Sequence, residues 1–194
     1  MFLKMATFCE SYSYDSCYLL RIALNKKTLS ISLRKRVKPN LNFDLRLVNL
    51  KRQKPEFKNL NYKEILKYLT KLDNSKADIG LCTNNKIFET GTSNLLFIKN
   101  DKIYSPINKF YKGITYKFFR SKIKKIIKKD ILINSLKEFD EIILIGSGKG
   151  VASVKTINQI KWKRKNLKFY NILSKHYKST ISNCKGTASH HERS

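Results

Sequence analysis

At 194 residues the chain holds one domain, or one domain with part of another. Its 41% hydrophobic content excludes global disorder, and no apolar run reaches the ~18 residues that span a bilayer. The net charge of +27 rests on 33 Lys against 8 Arg spread along the chain beside 17 Asn, a pattern of A/T-rich codon bias rather than of a specific nucleic-acid surface.

Residues 1–17 are polar and irregular, with no apolar core before a small-residue cleavage site, so secretion is not expected. Residues 18–24 and 28–35 read as two strands, with Asn25-Lys26-Lys27 as the hairpin turn. Residues 37–42, with Pro39 and two asparagines, read as a linker. Phe43, Leu45 and Leu47 alternate with Asp44 and Arg46, the period of a half-buried strand. Tyr62, Ile65, Leu66, Leu69 and Leu72 fall at helical spacing, which predicts an amphipathic helix over 62–72.

A β-rich block comes next. Residues 79–83 and 86–88 form a hairpin about Asn84-Asn85, and residues 95–98 and 102–104 form another about Asn100-Asp101. Gly113 then precedes a helix whose apolar face is Phe119, Ile123, Ile126 and Ile127. Residues 141–145 read as a buried strand entering Gly146-Ser147-Gly148-Lys149-Gly150, with 151–157 after it. A last short helix is expected over 167–177, and residues 182–194 carry no apolar pattern and are expected to be unstructured. Four scattered cysteines without a CxxC pair, and three histidines, offer no zinc site and fit a reducing, cytoplasmic setting.

Four places could carry chemistry. Lys58 follows Phe57 and precedes the Tyr62 helix; a lysine amine held near apolar side chains has a depressed pKa and becomes a nucleophile, whereas the plain alternative is a solvated strand-end lysine. Glu89, between Phe88 and Thr90-Gly91-Thr92-Ser93-Asn94, holds a carboxylate beside a turn; the plain alternative is a hairpin-edge acid. Gly113-Ile114-Thr115 opens a helix and leaves backbone N–H groups at its positive end, suited to phosphate. Gly146–Gly150 is neither a complete dinucleotide fingerprint, since Val151 stands at the sixth position, nor a Walker A motif, since Lys149 is followed by glycine. Ser147 and the neighbouring amides could still grip a phosphate.

In order and rough spacing these four sites resemble the class IV (fold type IV) pyridoxal-phosphate enzymes: branched-chain aminotransferases, D-amino acid aminotransferases and 4-amino-4-deoxychorismate lyases. The likeness runs from about Tyr18 to Tyr177 and is strongest from Lys58 to Thr115, through Glu89–Phe97, Ile103–Pro106 and Gly113–Thr115. It implies an α+β and α/β architecture: the C-terminal large domain of the D-amino acid aminotransferase-like fold over residues 38–181, with a remnant of the N-terminal small domain over 18–37. Most of that small domain is expected to be missing.

By the same resemblance the cofactor is pyridoxal 5′-phosphate. Lys58 is the Schiff-base lysine and proton shuttle, and Glu89 pairs with the pyridine nitrogen. The amides of Ile114 and Thr115, with Ser147 and Gly148, hold the phosphate, and Tyr62 lies near the ring hydroxyl. Asn61, three residues after Lys58, and the Thr92-Ser93-Asn94 ending look more like the lyase branch than the branched-chain aminotransferases. The implied reaction converts 4-amino-4-deoxychorismate to 4-aminobenzoate and pyruvate, in folate synthesis. A branched-chain or D-amino acid aminotransferase is the alternative, and an inactive remnant or a basic polyanion-binding protein is the alternative of another class. The resemblance also implies an amino-acid-like substrate and a homodimer, with no membrane or specific nucleic-acid partner.

Overall fold

The computed structural model describes residues 18–24, 27–57 and 62–186. The chain divides into two compact units, Met1–Lys38 and Pro39–Ser194. In the first, β1 (Tyr18–Leu24) and β2 (Leu29–Lys35) form an antiparallel pair with Leu24 opposite Leu29. Asn25 and Lys26 of the predicted turn lie outside the described residues.

The second unit is built on one strongly interleaved sheet. Its strands are β3 (Phe43–Asn49), β4 (Ala77–Thr83), β5 (Lys86–Thr90), β6 (Asn94–Lys99) and β7 (Lys102–Ser105), then β8 (Ile126–Lys128), β9 (Ile131–Leu132), β10 (Glu141–Gly146), β11 (Gly150–Ile157) and β12 (Trp162–Lys163). The spatial order among the described residues is β8-β7-β6-β10-β11-β3-β4-β5-β9, with β12 beside β11. Most neighbours are antiparallel, but β11–β3, β3–β4 and β7–β8 run parallel. Three helices cover it: α1 (Lys63–Leu69), α2 (Ile114–Lys122) and α3 (Lys168–Gly186).

The central strands are buried on both faces, which is why their sequences are unbroken apolar runs rather than alternations. In β6, Leu95 and Phe97 enter one core while Leu96 and Ile98 enter another; in β10, Ile142 and Leu144 split from Ile143 and Ile145 in the same way. The first core lies between the β3–β5 and β6–β11 parts of the sheet and includes Phe43, Leu45, Ile87 and Trp162. The second is closed by Tyr116 and Phe119 of α2 and Leu173 of α3. A third, smaller cluster packs Ile65 and Leu69 of α1 on Ile79 and Leu81 of β4. Each fully buried Leu, Ile or Phe contributes roughly 1.5–3 kcal/mol, so these layers supply the driving force that fixes the sheet.

Both expected tight turns form with left-handed backbone, at Asn84 (φ 50) and Asn85 (φ 57) and at Asn100 (φ 50) and Asp101 (φ 56). That conformation suits two-residue hairpins and is why asparagine and aspartate recur there. The helix after Gly113 is shorter than expected. It stops at Lys122, Ile123 is extended, and Ile126 and Ile127 form β8 with Ile103 and Tyr104 opposite. Ile123 and Ile126 still reach the second core, from the extended segment after α2 and from β8. β-Branched isoleucine favours that outcome once a ladder partner is available. Conversely α3 continues through Gly186, into the segment 182–194 expected to be unstructured, and residues 187–194 lie outside the described residues. β9 and the 3-10 turn Ile133–Glu138 are too short to show a period in the sequence.

No helix among the described residues is long and apolar enough to cross a membrane, and none of their His, Cys, Asp and Glu side chains cluster as a metal site. Cys82 is buried in β4, and burial pushes its thiol up to about 12. The thiolate is the reactive form. In a maleimide labelling experiment at pH 8, read by peptide mass mapping, Cys82 is expected to stay unlabelled in the folded protein and to react fully in denaturant.

Candidate functional site

Glu89 lies on the sheet beside the turn, one residue beyond the strand end expected at Phe88. It lies within β5, opposite Leu81 of β4, and a register shift places a bulge at Phe88, between the Leu81–Glu89 and Cys82–Ile87 pairs. A bulge breaks the alternation of side chains along a strand and re-aims the residues beyond it. The Glu89 carboxylate is 3% exposed. Its Oε1 accepts a hydrogen bond from Arg52 Nε at 2.8 Å, and its Oε2 accepts the Tyr111 N–H at 3.3 Å.

Arg52 is buried too. Its Nη2 donates to the Gly91 carbonyl at 3.3 Å, and its guanidinium carbon stands 4.8 Å from the centre of the Tyr62 ring. The electron-rich face of Tyr62, the residue expected near a cofactor hydroxyl, attracts this cation. Burial raises the Glu89 carboxyl above the usual carboxylate range, while Arg52 and then the Tyr111 N–H pull it back. A guanidinium keeps its proton, so neutral Glu89 would leave a buried charge unpaired, and the pair therefore favours the carboxylate.

The turn beyond Glu89 is tied down by its small polar residues. Thr90 and Ser93 close it through Thr90 N–H to Ser93 O at 2.8 Å, and the Ser93 N–H donates back to Thr90 Oγ1 at 2.8 Å. Beneath it lies Asp78, fully buried, which accepts the hydroxyls of Thr90 at 2.9 Å and Thr92 at 2.6 Å. Lys149 Nζ approaches the same Asp78 oxygen at 3.4 Å.

Asn94 carries this frame to the start of α2. Its Nδ2 donates to the Tyr111 carbonyl at 2.5 Å, and its Oδ1 accepts the Gly113 N–H at 3.2 Å. Gly113 is the residue before the helix, so the amides of Ile114 and Thr115 fall in the first turn, where the helix itself supplies no acceptor. The Thr115 hydroxyl is buried and stands 3.4 Å from that of Ser147. Gly146 packs so close to the first turn that a Cβ there would lie 2.9 Å from Ser93 Oγ. Gly150 takes φ 71, a left-handed conformation that glycine adopts without strain.

The structure therefore brings Thr115 and Ser147 together and links Glu89 to the same helix start through Tyr111 and Asn94. Ile114 occupies the first helical position with its side chain exposed, and Gly148 lies in the turn after Ser147. Lys58 lies outside the described residues, between Phe57 and Tyr62. Arg52, Asp78 and Lys149 are the additions that the sequence reading did not single out for a role. Asp78 had a signal, a lone acid in an apolar strand, and Lys149 stood in the glycine-rich run; Arg52 had none among 41 basic residues.

The arrangement offers a buried carboxylate at one end and hydroxyls with helix-start amides at the other. That donor and acceptor set suits a ring with a protonated nitrogen and a phosphate arm.

Comparison with known proteins agrees with the architecture. The family described as amino-transferase class IV matches residues 19–157. A search of curated protein sequences finds no match. Among solved structures, an aminotransferase from Brucella abortus bound to pyridoxal phosphate superposes with a TM-score of 0.67 at 15% identity, covering 93% of this chain and 73% of that one. The branched-chain aminotransferase of Thermoproteus uzoniensis with norvaline gives 0.65 at 15% identity, over 81% of this chain. A putative 4-amino-4-deoxychorismate lyase from Legionella pneumophila gives 0.61 at 18% identity, over 78% of this chain. The chain spans 59% of the Thermoproteus protein's length and 63% of the Legionella protein's. At these identities the likeness is one of fold.

Proposed function

Because this chain belongs to the amino-transferase class IV family, whose members are pyridoxal-phosphate enzymes, we propose that it binds pyridoxal 5′-phosphate and acts as a lyase on 4-amino-4-deoxychorismate. The observation that carries the cofactor reading is the buried Glu89 carboxylate, held by Arg52 and tied through Tyr111 and Asn94 to the start of α2.

Glu89 meets the pyridine nitrogen, since each carboxylate oxygen has a lone pair left beyond the bonds it already accepts. The Ile114 and Thr115 amides, the Thr115 and Ser147 hydroxyls and the Gly148 backbone hold the phosphate. Lys58 supplies the amine that attaches the cofactor and moves the proton at the substrate's α-carbon. When bound, the cofactor supplies the electron sink for that carbon. Arg52 and Tyr111 keep Glu89 in its charged form, so the ring nitrogen keeps its proton.

The lyase reading is favoured by Asn61 three residues after Lys58 and by the Thr92-Ser93-Asn94 ending of the Glu89 motif. A transaminase of branched-chain or D-amino acids is the second reading, since a branched-chain aminotransferase stands among the fold relatives. The substrate in either case is a small amino-acid-like molecule, and we propose a homodimer as the working assembly. Product analysis separates the two. With 4-amino-4-deoxychorismate, equal amounts of 4-aminobenzoate and pyruvate are expected. Formation of 2-oxo acids from branched-chain or D-amino acids, with no 4-aminobenzoate, would move the assignment to the transaminase.

A further inference from the structure

We infer that Lys149 is a positioning residue for the phosphate end of the site: its ion pair with Asp78 holds the turn of residues 146–150 against the turn of residues 90–93. The inference rests on the cofactor reading above and adds a residue to which that reading gives no part.

Lys149 is a lysine inside the protein, 9% exposed, in a chain whose positive charge is otherwise carried largely at the surface. A buried ammonium persists only with a partner. Here the partner is Asp78, whose Oδ2 lies 3.4 Å from the Lys149 amine, and the Phe43 ring lies on another side with its centre 5.2 Å away. Asp78 has no solvent exposure and is already held by the Ile79 N–H and by the Thr90 and Thr92 hydroxyls. The carboxylate is therefore a fixed point on β4, tied to the Glu89 turn. Lys149 attaches the second turn to that same point.

The position of this second turn matters because Ser147 is within it. Lys149 is two residues from Ser147, and Gly150 reverses the backbone directly after it. On the near side Gly146 touches Ser93 without room for a Cβ. The turn is thus pinned at both ends, by Gly146 on Ser93 and by Lys149 on Asp78. Ser147, in the middle, stands at the start of α2, where its hydroxyl reaches that of Thr115 at 3.4 Å. That distance is too long for a strong bond between two hydroxyls, so both can donate to one shared anion. Without the Lys149 tie, the turn keeps the Gly146–Gly150 pair of the β10–β11 ladder and the Gly146 contact with Ser93, but loses its anchor on β4.

Lys149→Met tests the inference through the ratio of affinities for pyridoxal 5′-phosphate and pyridoxal, each measured by fluorescence titration. The two ligands differ only in the phosphate. The variant is expected to lose about 10- to 100-fold in affinity for the phosphorylated form, the scale seen when a side chain supporting a metal ligand is removed, with little change for pyridoxal. Lys149→Arg is expected to keep most of the preference. Should Lys149→Met fail to fold, the double variant Asp78→Asn, Lys149→Met leaves no unpaired buried charge and takes the same measurement, with the same loss expected. A folded variant that keeps the wild-type ratio overturns the inference and leaves the cofactor reading intact. A wild-type protein that does not prefer the phosphorylated form overturns both.

Discussion

Lys58→Ala is expected to lower turnover of 4-amino-4-deoxychorismate by about 10²–10⁴-fold, the scale of losing a positioned general acid–base group. The variant is expected to fold. It should also still bind pyridoxal 5′-phosphate reversibly, because Glu89 and the α2 end of the site remain. Added methylamine, an amine of the kind removed, should restore part of the rate. Steady-state production of 4-aminobenzoate checks the first expectation, and thermal unfolding with fluorescence titration checks the others. A variant with the wild-type rate would remove Lys58 from the reaction.

Arg52→Met carries the largest expected effect on stability, about 3–5 kcal/mol, because it leaves the Glu89 carboxylate buried without its cation. The loss exceeds that of a surface pair such as Lys67–Glu64, whose side chains are more than half exposed and whose contribution is at most about 1 kcal/mol. Its pH dependence derives from the direction of the Glu89 shift. Burial raises that carboxyl in the folded state, so although Arg52 favours the carboxylate, Glu89 takes up a proton more readily there than in the unfolded chain. The corresponding stability is present at low pH and is lost as pH rises through the folded-state value. Removing Arg52 takes away the largest opposing influence and raises the value further. The deficit of the variant is therefore expected to be full above its own folded-state value and to shrink as pH falls from there towards the ordinary carboxylate range. Urea denaturation at a series of pH values measures it. A deficit that grows on acidification would mean that Arg52 does not hold Glu89 in its charged form.

The sheet was legible where burial is two-sided or turn chemistry is specific. The apolar runs at 95–98 and 141–145 could hardly be anything but central strands, and Asn84-Asn85 and Asn100-Asp101 announced their hairpins. The end of α2 was not legible. Isoleucines 123, 126 and 127 satisfy a helical period, but a parallel partner in β7 made a strand the better use of 126 and 127. Glu89 was picked out by its neighbours, yet its position inside β5 depends on a bulge that only pairing with β4 creates.

The ion pairs were the least legible part of the site. Arg52 reaches Glu89 across 37 residues of sequence, and Lys149 meets Asp78 on a strand far back in the chain. Nothing local distinguishes Arg52 from the surface lysines and arginines, and the glycines around Lys149 give no hint of its partner. Only the fold decides which basic side chains are trapped inside. By contrast the helix-start site at Gly113–Thr115 is a property of backbone geometry, so a glycine before an amphipathic run was enough to suggest it. Its orientation by Asn94 was not visible until the two hydrogen bonds to Tyr111 and Gly113 were seen.

The central claim is that this fold holds pyridoxal phosphate through Lys58. Borohydride reduction of the protein mixed with equimolar pyridoxal 5′-phosphate, with peptide mapping of the product, tests it most directly. The account predicts one pyridoxyl label, on Lys58, absent from Lys58→Ala and suppressed by neither surface acetylation controls nor moderate salt. No label, or labels scattered over the surface lysines with Lys58 unmodified, would contradict it.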